Sequence, residues 1–265
     1  MEQPLMDNQP TRETILIQEI SFPNGNKALA IIPSHDAPVT SLVHALGIPQ
    51  PRSLIMIAGG AAQMDERDRA NLVRLFSDGI AYIAATHHAL VIDGGTQSGV
   101  MELMGQGVAR QLQRPALLGI SPSENITYPG KTPSQAYQEQ TPLDPNHSHF
   151  VLVDSDQWGG ETETMYKLAE VYSQSCPSVA ILVNGGAIAR NEALYNVRQS
   201  RPIIVIEGSG RLADQIVEAL HASSSLDSDP DMAEILNQGK LCVFPITGSP
   251  VELEQLIQRL FNEQP

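Results

Sequence analysis

Continuous apolar runs alternate with helical patterns along most of the chain. The apolar runs cover residues 54–58, 89–93, 116–120, 150–153, 179–183, 203–207 and 241–244. Apolar residues recur at helical spacing in residues 65–85, 99–112, 162–175, 191–199, 212–221 and 251–261. Runs without polar alternation are typical of parallel strands that helices cover on both faces. The alternation predicts an α/β fold, a Rossmann-like open parallel sheet flanked by helices.

The N-terminal part of the chain departs from this alternation. We expect residues 1–12 to form a disordered tail. Residues 14–20 and 27–32 predict two short strands around a turn-rich segment, and therefore a hairpin at a sheet edge. No composition typical of a linker interrupts the rest of the sequence, so we expect residues 13–265 to form a single domain.

Glycines follow four of the predicted strands directly. They are Gly59 and Gly60, Gly94 and Gly95, Gly185 and Gly186, and Gly208 and Gly210. Ligands of an open parallel sheet bind beyond the carboxyl ends of its strands, where glycine lets the backbone approach and the next helix offers free N–H groups. One such turn is weak support, because tight turns also use glycine for purely structural reasons. Four of them favour a shared phosphate-binding floor.

The segment after the second of these strands comes closest to a nucleotide-binding glycine pattern. Residues 94–99 have the sequence GGTQSG, which adds Gly99 to the candidate contacts. The hydroxyl groups of Thr96 and Ser98 could donate hydrogen bonds to phosphate oxygens. Ser98 could also be the N-cap of the following helix, and both roles can hold together. None of the turns is a P-loop, since no Gly-Lys-Ser/Thr follows.

A second sharp pattern is the sequence GSGRLAD at residues 208–214. Ser209 and Gly210 precede Arg211, which opens a predicted helix. An arginine at a helix N-terminus opposes the helix dipole, so an anionic ligand would explain it. The alternative is an ion pair between Arg211 and Asp214 at the protein surface.

The segment after the strand at residues 150–153 carries further candidates, Gly159, Gly160 and Glu161. Glu161 could accept hydrogen bonds from a ribose diol, or it could stabilise the end of the next helix. Trp158 could stack on a base, although a single tryptophan more often packs within the protein.

The histidines do not form a metal-binding pattern. His147 and His149 would share one face of an extended segment, but no carboxylate or cysteine lies at matching spacing. We therefore expect no metal site. Asp144 and His147 are interpreted as groups that anchor a loop or contact the edge of a ligand.

The charge of the chain limits its partners. The formal net charge is −14, and the 16 Lys and Arg residues form no cluster. Because nucleic acids and anionic membranes bind basic surfaces, we expect neither of these partners. The first residues lack the basic start and the apolar stretch of a signal peptide, and the two cysteines form no disulfide framework. We expect a cytoplasmic protein that requires no cofactor.

Three stretches of the sequence resemble a known family. Residues 92–101, 143–154 and 205–214 are similar, in the same order, to motifs in the N-terminal cytosolic domain of TRPM cation channels. The chain is identified as a stand-alone prokaryotic member of the LSDAT branch of the SLOG superfamily. The resemblance implies a Rossmann-like fold and recognition of nucleotide-derived ligands, with ADP-ribose-like molecules as the leading class. It implies no channel activity, because the membrane part is absent.

The resemblance also implies which residues contact a ligand. By position they are Gly59, Gly60, Gly94, Gly95, Thr96, Ser98, Gly99, Gly185, Gly186, Gly208, Ser209, Gly210 and Arg211. LOG-type phosphoribohydrolases of the same superfamily carry the pattern PGGxGTxxE. Residues 184–192 match its glycine pair and its glutamate, Glu192, but not its proline, its later glycine or its threonine. A carboxylate at that position could stabilise oxocarbenium-like charge during hydrolysis of an N-glycosidic bond.

Three functions are therefore kept open. We rank first a non-catalytic sensor that binds a nucleotide-derived ligand at the glycine-rich strand ends. A nucleotide N-glycosidic hydrolase of the phosphoribohydrolase or NAD-glycohydrolase type, with Glu192 as the candidate catalytic residue, ranks second. A non-catalytic assembly protein ranks third. A sensor would need a downstream effector protein as a partner, and a homo-oligomer is a further option.

Overall fold

A nine-stranded sheet with helices on both faces runs through the described part of the chain. The computed structural model describes residues 14–60, 66–132, 140–222 and 229–264. The strands are β1 (Ile15–Ser21), β2 (Lys27–Pro33), β3 (Ser53–Gly59), β4 (Ala89–Asp93), β5 (Ala116–Pro122), β6 (Ile126–Thr127), β7 (Thr141–Pro142), β8 (His149–Val153), β9 (Ser178–Val183), β10 (Ile203–Glu207) and β11 (Leu241–Pro245). The helices are α1 (Val39–Leu46), α2 (Glu66–Arg74), α3 (Ala81–Thr86), α4 (Gly99–Ala109), α5 (Thr162–Ser173), α6 (Ala187–Arg198), α7 (Arg211–Ala222), α8 (Pro230–Gln238) and α9 (Pro250–Asn262).

The strand order of the large sheet is β1-β2-β8-β5-β4-β3-β9-β10-β11. β1 and β2 pair antiparallel, from Ile15 opposite Pro33 to Ser21 opposite Lys27. The other neighbouring strands described in this sheet pair in parallel. The predicted parallel sheet with its N-terminal edge hairpin is therefore confirmed.

The central strands are buried on both faces, as their apolar runs predict. In β3, Leu54 and Met56 enter one core cluster, whereas Ile55 and Ile57 enter the other. Helices α1, α5, α6, α7 and α8 cover the first face, and α2, α3, α4 and α9 cover the second. Each fully buried side chain of this kind contributes about 1.5–3 kcal/mol relative to an exposed one, so the two covering layers hold the strand ends in place.

Two helical segments differ in detail from the expected ones. The pattern at residues 65–85 allowed one long helix or two short ones, and the described segment is helical from α2 through α3, with a π-helical turn at Leu75–Ile80 between them. The segment predicted as a helix at residues 191–199 already begins at Ala187. The earlier start changes which residues face the carboxyl ends of the strands.

Helix α8 was not predicted. The side chain of Asp229 accepts a hydrogen bond from the Met232 amide, and Pro230 occupies the first turn of the helix. Both residues are helix-start signals that the acidic, serine-rich composition before them obscured.

The predicted disordered tail at residues 1–12 lies outside the described residues. That residues 13–265 form a single domain stays a prediction. Within the part of the chain that is described, no helix has both the length and the apolar character that a membrane crossing requires.

Candidate functional site

The carboxyl ends of β3, β4 and β9 meet at one edge of the sheet and border a cleft of about 430 Å³. The predicted site residues in its lining are Gly59, Gly60, Gly94, Thr96, Glu161, Gly185, Gly186, Glu192 and Arg211. Two larger cavities, of about 510 and 600 Å³, lie away from the ends of these three strands. The cleft is therefore where the structure brings the sequence candidates together.

Two glycines in the lining are needed for different steric reasons. Gly59 has φ +119°, and a Cβ there would overlap the carbonyl group of Val183 on the neighbouring strand. At Gly186 a Cβ would lie 2.7 Å from Nη2 of Arg211. Glycine at the first position permits close packing of two strand ends, whereas glycine at the second leaves space for a guanidinium group.

Arg211 brings a positive charge to the cleft. It begins α7 with φ +48°, a left-handed conformation that costs a non-glycine residue about 1 kcal/mol or more. Its guanidinium group lies beside Gly186, the residue before α6. The alternative ion pair with Asp214 is not what the structure has. The Asp214 carboxylate instead accepts hydrogen bonds from the amides of Gly208, at 2.7 Å, and Gly210, at 3.1 Å.

The turn after β10 satisfies its own polar groups. The Ser209 hydroxyl donates to the Ile206 carbonyl at 2.6 Å and accepts from the Asn184 amide at 2.7 Å. The lining of the cleft does not include Gly208, Ser209 or Gly210. Arg211, which follows them, does belong to the lining.

The helices after β9 and β10 use their N-termini differently. At the start of α7, the amides of Leu212 and Ala213 donate to the carbonyl groups of Gly185 and Asn184, at 3.4 and 3.0 Å. At the start of α6, residues 187–189 line the cleft. The amides in the first turn of a helix have no acceptor within that helix. α6 therefore presents hydrogen-bond donors and the positive end of its dipole to the cleft.

The loop after β4 contributes Gly94 and Thr96 to the lining, but not Gly95, Ser98 or Gly99. Gly95, at φ +70°, packs so closely on β5 that a Cβ would lie 2.7 Å from the Cα of Gly119. Ser98 is the N-cap residue of α4, as one interpretation predicted, but its side chain makes no capping hydrogen bond.

The segment after β8 contributes Trp158 and Glu161, whereas Gly159 and Gly160 lie outside the lining. Glu161 is the N-cap residue of α5, and its Oε2 accepts a hydrogen bond from the Gly159 amide at 2.8 Å. Burial raises the pKa of the Glu161 carboxyl, while its hydrogen bonds with backbone amides act in the opposite direction. Glu161 thus occupies a helix end and the edge of the cleft at once.

Glu192 supplies a second carboxyl group. It projects from α6, is 8% exposed and borders the cleft. Burial, followed by the negative charges of Glu161 and Asp93, raises the pKa of Glu192 to about 8. The carboxyl group of Glu192 is therefore mostly in its protonated form at neutral pH, so it can donate a hydrogen bond as well as accept one.

Sequence analysis missed part of the lining. Ile57, Met101, Ala187, Ile188 and Ala189 also border the cleft. Three of them belong to the first turn of α6, which was missed because that helix was predicted to begin at residue 191. The available signal was the glycine pair itself, since a helix can begin directly after a glycine at a strand end.

Asp144 and His147 are buried and lie outside the lining of the cleft. Oδ1 of Asp144 lies 3.0 Å from Nδ1 of His147, so of the two interpretations the structure supports loop anchoring. Across the described ranges, no three metal-ligating side chains come together in a way that could hold an ion.

The chain is similar to one protein family and to several channel proteins. A family model described as "SLOG in TRPM, prokaryote" matches residues 52–255. Transient receptor potential cation channel subfamily M member 2 of Mus musculus is 28% identical over 223 residues, which are 70% of this chain and 15% of the channel. The member-like 2 protein of Nematostella vectensis is 29% identical over 222 residues, 69% of this chain and 14% of that protein. A transient receptor potential channel of Caenorhabditis elegans is 29% identical over 204 residues, 66% of this chain and 10% of that protein.

The family match contains the whole lining of the cleft, from Ile57 to Arg211. The chain spans at most 15% of the length of these three relatives. The activities and partners of the complete channels are therefore not carried over to this chain.

Proposed function

The chain belongs to the prokaryotic family described as SLOG in TRPM, and from this premise we propose that its cleft binds a nucleotide-derived ligand through a diphosphate. The observation that carries the proposal is the Arg211 guanidinium group beside Gly186, at the positive end of α6. An arginine fork matches phosphate oxygens in pairs, and a helix N-terminus adds backbone donors. Both act on the same place, so the diphosphate belongs between Arg211 and the first turn of α6.

The dimensions of the cleft fit such a ligand. A volume of about 430 Å³ lies within the range of about 300–1,000 Å³ that is usual for small-molecule sites. The net charge of −14 opposes an anion at long range, but salt screens exposed charges beyond about 8 Å at physiological ionic strength. The donors within contact distance therefore decide the affinity.

Apolar side chains of the same lining suit a base. Trp158 is 43% exposed and Ile188 is 39% exposed, so both side chains are accessible to a ligand in the cleft. Stacking of a base on an aromatic side chain contributes about 1–3 kcal/mol. We assign Trp158 as the surface on which the base stacks.

The two carboxyl groups suit ribose hydroxyls. Glu161 can accept hydrogen bonds from a diol, and Glu192 can donate one because its pKa is about 8. A ligand that combines a base, ribose and diphosphate would use all three parts of the cleft. ADP-ribose is such a molecule, and it heads the class that the family resemblance implies.

The test uses calorimetry with ADP-ribose, cyclic ADP-ribose, NAD and AMP, together with the fluorescence of Trp158, the single tryptophan of the chain. Arg211→Ala should weaken binding about 10- to 100-fold, because charge-assisted hydrogen bonds contribute about 1.5–3 kcal/mol. Arg198→Ala is the matched control, since Arg198 is an exposed arginine at the end of α6, lies outside the lining of the cleft and pairs with Glu234. Absence of heat and of a fluorescence change for the whole panel, or equal losses in both variants, would contradict the proposal.

A second candidate function is hydrolysis of a nucleotide N-glycosidic bond. The observation that favours it is a pair of carboxyl groups, Glu161 and Glu192, that border one cleft, where the pKa of Glu192 is raised to about 8. Glycosidic hydrolysis uses one protonated and one ionised carboxyl group. Chromatography of NAD and AMP incubated with the protein should then reveal a released base, and Glu192→Gln should abolish the release. Turnover that this substitution leaves unchanged would reject the assignment.

A further inference from the structure

Three buried side chains, Asp93, His147 and Asp144, form a network that the proposed ligand contacts do not use. Nε2 of His147 lies 2.8 Å from Oδ1 of Asp93, and Nδ1 lies 3.0 Å from Oδ1 of Asp144. Each of the three residues is at most 1% exposed. The ring of Phe150 stacks on the imidazole, with the ring centroids 5.5 Å apart.

The geometry of this network favours a charged imidazole. A neutral imidazole carries one N–H and can donate to one carboxylate only, whereas both nitrogens of His147 lie at hydrogen-bonding distance from carboxylate oxygens. Burial lowers the pKa of His147, but Asp93 and Asp144 outweigh burial and raise the pKa to about 9. Lys27 and Arg114 line the same small cavity as His147. The two acidic partners and a pKa of about 9 therefore favour the imidazolium form of His147 at neutral pH.

The network joins the end of β4 to the segment before β8. Asp93 is the last residue of β4, and its Oδ1 also accepts a hydrogen bond from the Gly95 amide at 2.7 Å. The Asp144 amide donates to the Gly95 carbonyl at 2.9 Å. Both carboxylates that His147 bridges thus belong to residues that hold the backbone of Gly95.

The residues on either side of Gly95 face the cleft. Gly94 and Thr96 are part of its lining, and Thr96 also forms a β-bridge with Leu143, the residue before Asp144. The positions of the two ligand-facing residues consequently depend on how the loop after β4 is attached to the segment before β8.

We infer that His147 is a positioning residue for the cleft, because its charged form holds the loop that carries Gly94 and Thr96. Loss of its proton leaves one N–H for two carboxylates, so one attachment of the loop is lost. The inference rests on the proposed function for the identity of the ligand. The loop itself can be followed without any ligand.

The first arm of the test measures hydrogen exchange of the Gly95 and Asp144 amides in the free wild-type protein between about pH 7 and about pH 10. Protection relative to the intrinsic exchange rate reports how firmly each amide is held. We expect protection at both amides to fall about tenfold or more, with a midpoint near pH 9. Protection that stays constant across this range would overturn the inference.

The second arm separates charge from shape with Asp144→Asn. The asparagine oxygen can still accept the hydrogen bonds of His147 and of the Asn146 amide, but the lost charge lowers the pKa of His147. We expect the midpoint to move down by about one pH unit or more. Leu253→Ala, at a buried core residue of α9, is the matched destabilised control, and its midpoint should stay near 9. An unmoved midpoint in Asp144→Asn, or an equal shift in the control, would mean that the network is only structural.

The third arm links the loop to the ligand. ADP-ribose affinity is measured by calorimetry in a Glu192→Gln background, which removes the titration of the Glu192 carboxyl group from the same pH range. We expect affinity to weaken about fivefold or more across the exchange midpoint and to follow its shift in Asp144→Asn. Constant affinity across a clear exchange transition would refute the positioning role. If the wild-type protein also fails to bind ADP-ribose at any pH while the transition occurs, the proposed function fails and the attachment of the loop by His147 stands.

Discussion

The turns after β9 and β10 share one sequence pattern, strand–glycine–helix, but differ in what their amides do. After β9, Gly185 and Gly186 lead into α6, whose first turn borders the cleft. After β10, the amides of the turn donate to the carboxylate of Asp214, and the amides at the start of α7 donate to carbonyl groups of the turn after β9. Glycine at a strand end lets the backbone approach a ligand, but a ligand can bind there only where the amides lack protein acceptors.

Arg211 is where the two turns cooperate. The turn after β10 holds it in a left-handed conformation, and its guanidinium group then lies beside the turn after β9. Strained residues of this kind persist only where surrounding contacts fix them, and they concentrate at functional sites. The turn after β10, whose polar groups already have protein partners, thus fixes the position of the Arg211 side chain at the cleft.

The largest expected effect comes from Arg211→Gly, which separates binding from stability. Loss of the guanidinium group should weaken ADP-ribose binding about 10- to 100-fold. Glycine tolerates φ +48°, so the free energy of unfolding should stay level or rise by up to about 1 kcal/mol. Calorimetry and urea unfolding measure the two quantities. Ser200→Gly, at an exposed residue with φ +55°, is the control that should gain stability and keep its affinity. Retained binding in Arg211→Gly would show that Arg211 is not the ligand contact that the turn after β10 supplies.

A smaller effect is expected for Asp214→Ala, which removes the acceptor of the Gly208 and Gly210 amides. The free energy of unfolding should fall by about 1–2 kcal/mol, as for the loss of a helix-capping side chain. The affinity for ADP-ribose should fall less than in Arg211→Gly, because the guanidinium group remains. Asp231→Ala, at an exposed position in the first turn of α8, should change stability by less than about 0.5 kcal/mol. An affinity loss as large as that of Arg211→Gly would assign the turn a direct ligand contact.

A pH-dependent effect on stability is expected from Glu192. Its pKa is raised from 4.5 to about 8 in the folded protein, so between these values the folded state holds a proton that the unfolded state has lost. Stability from this group is therefore lost as pH rises through that window, with a slope of at most about 1.4 kcal/mol per pH unit. His147 acts with the same sign, but between 6.5 and about 9. Urea unfolding of Glu192→Gln should thus show a flatter pH dependence than the wild type below pH 6.5, with a slope lower by on the order of 1 kcal/mol per pH unit. Identical slopes in that range would show that Glu192 is not shifted.

The sequence carried more information about the fold than about the site. Apolar runs predicted the strands because burial on both faces excludes polar residues from every position of a strand, whichever neighbour it pairs with. The starts of two helices, by contrast, were missed. Placing the start of α6 at residue 191 hid the helix turn that borders the cleft, and the unrecognised cap at Asp229 hid α8 altogether. Helix ends depend on single capping residues, so they are harder to predict than periodic segments.

By itself, the sequence determined the α/β alternation, the N-terminal hairpin and the positions where glycine permits positive φ, because each of these depends on residues close together in the chain. Only the tertiary structure decided which glycine turns face the cleft. It also decided that Asp214 accepts amides instead of pairing with Arg211, and that Asp93 contacts His147 across the loop after β4. These outcomes depend on which donors and acceptors from distant segments meet and satisfy one another, and no local pattern encodes that pairing.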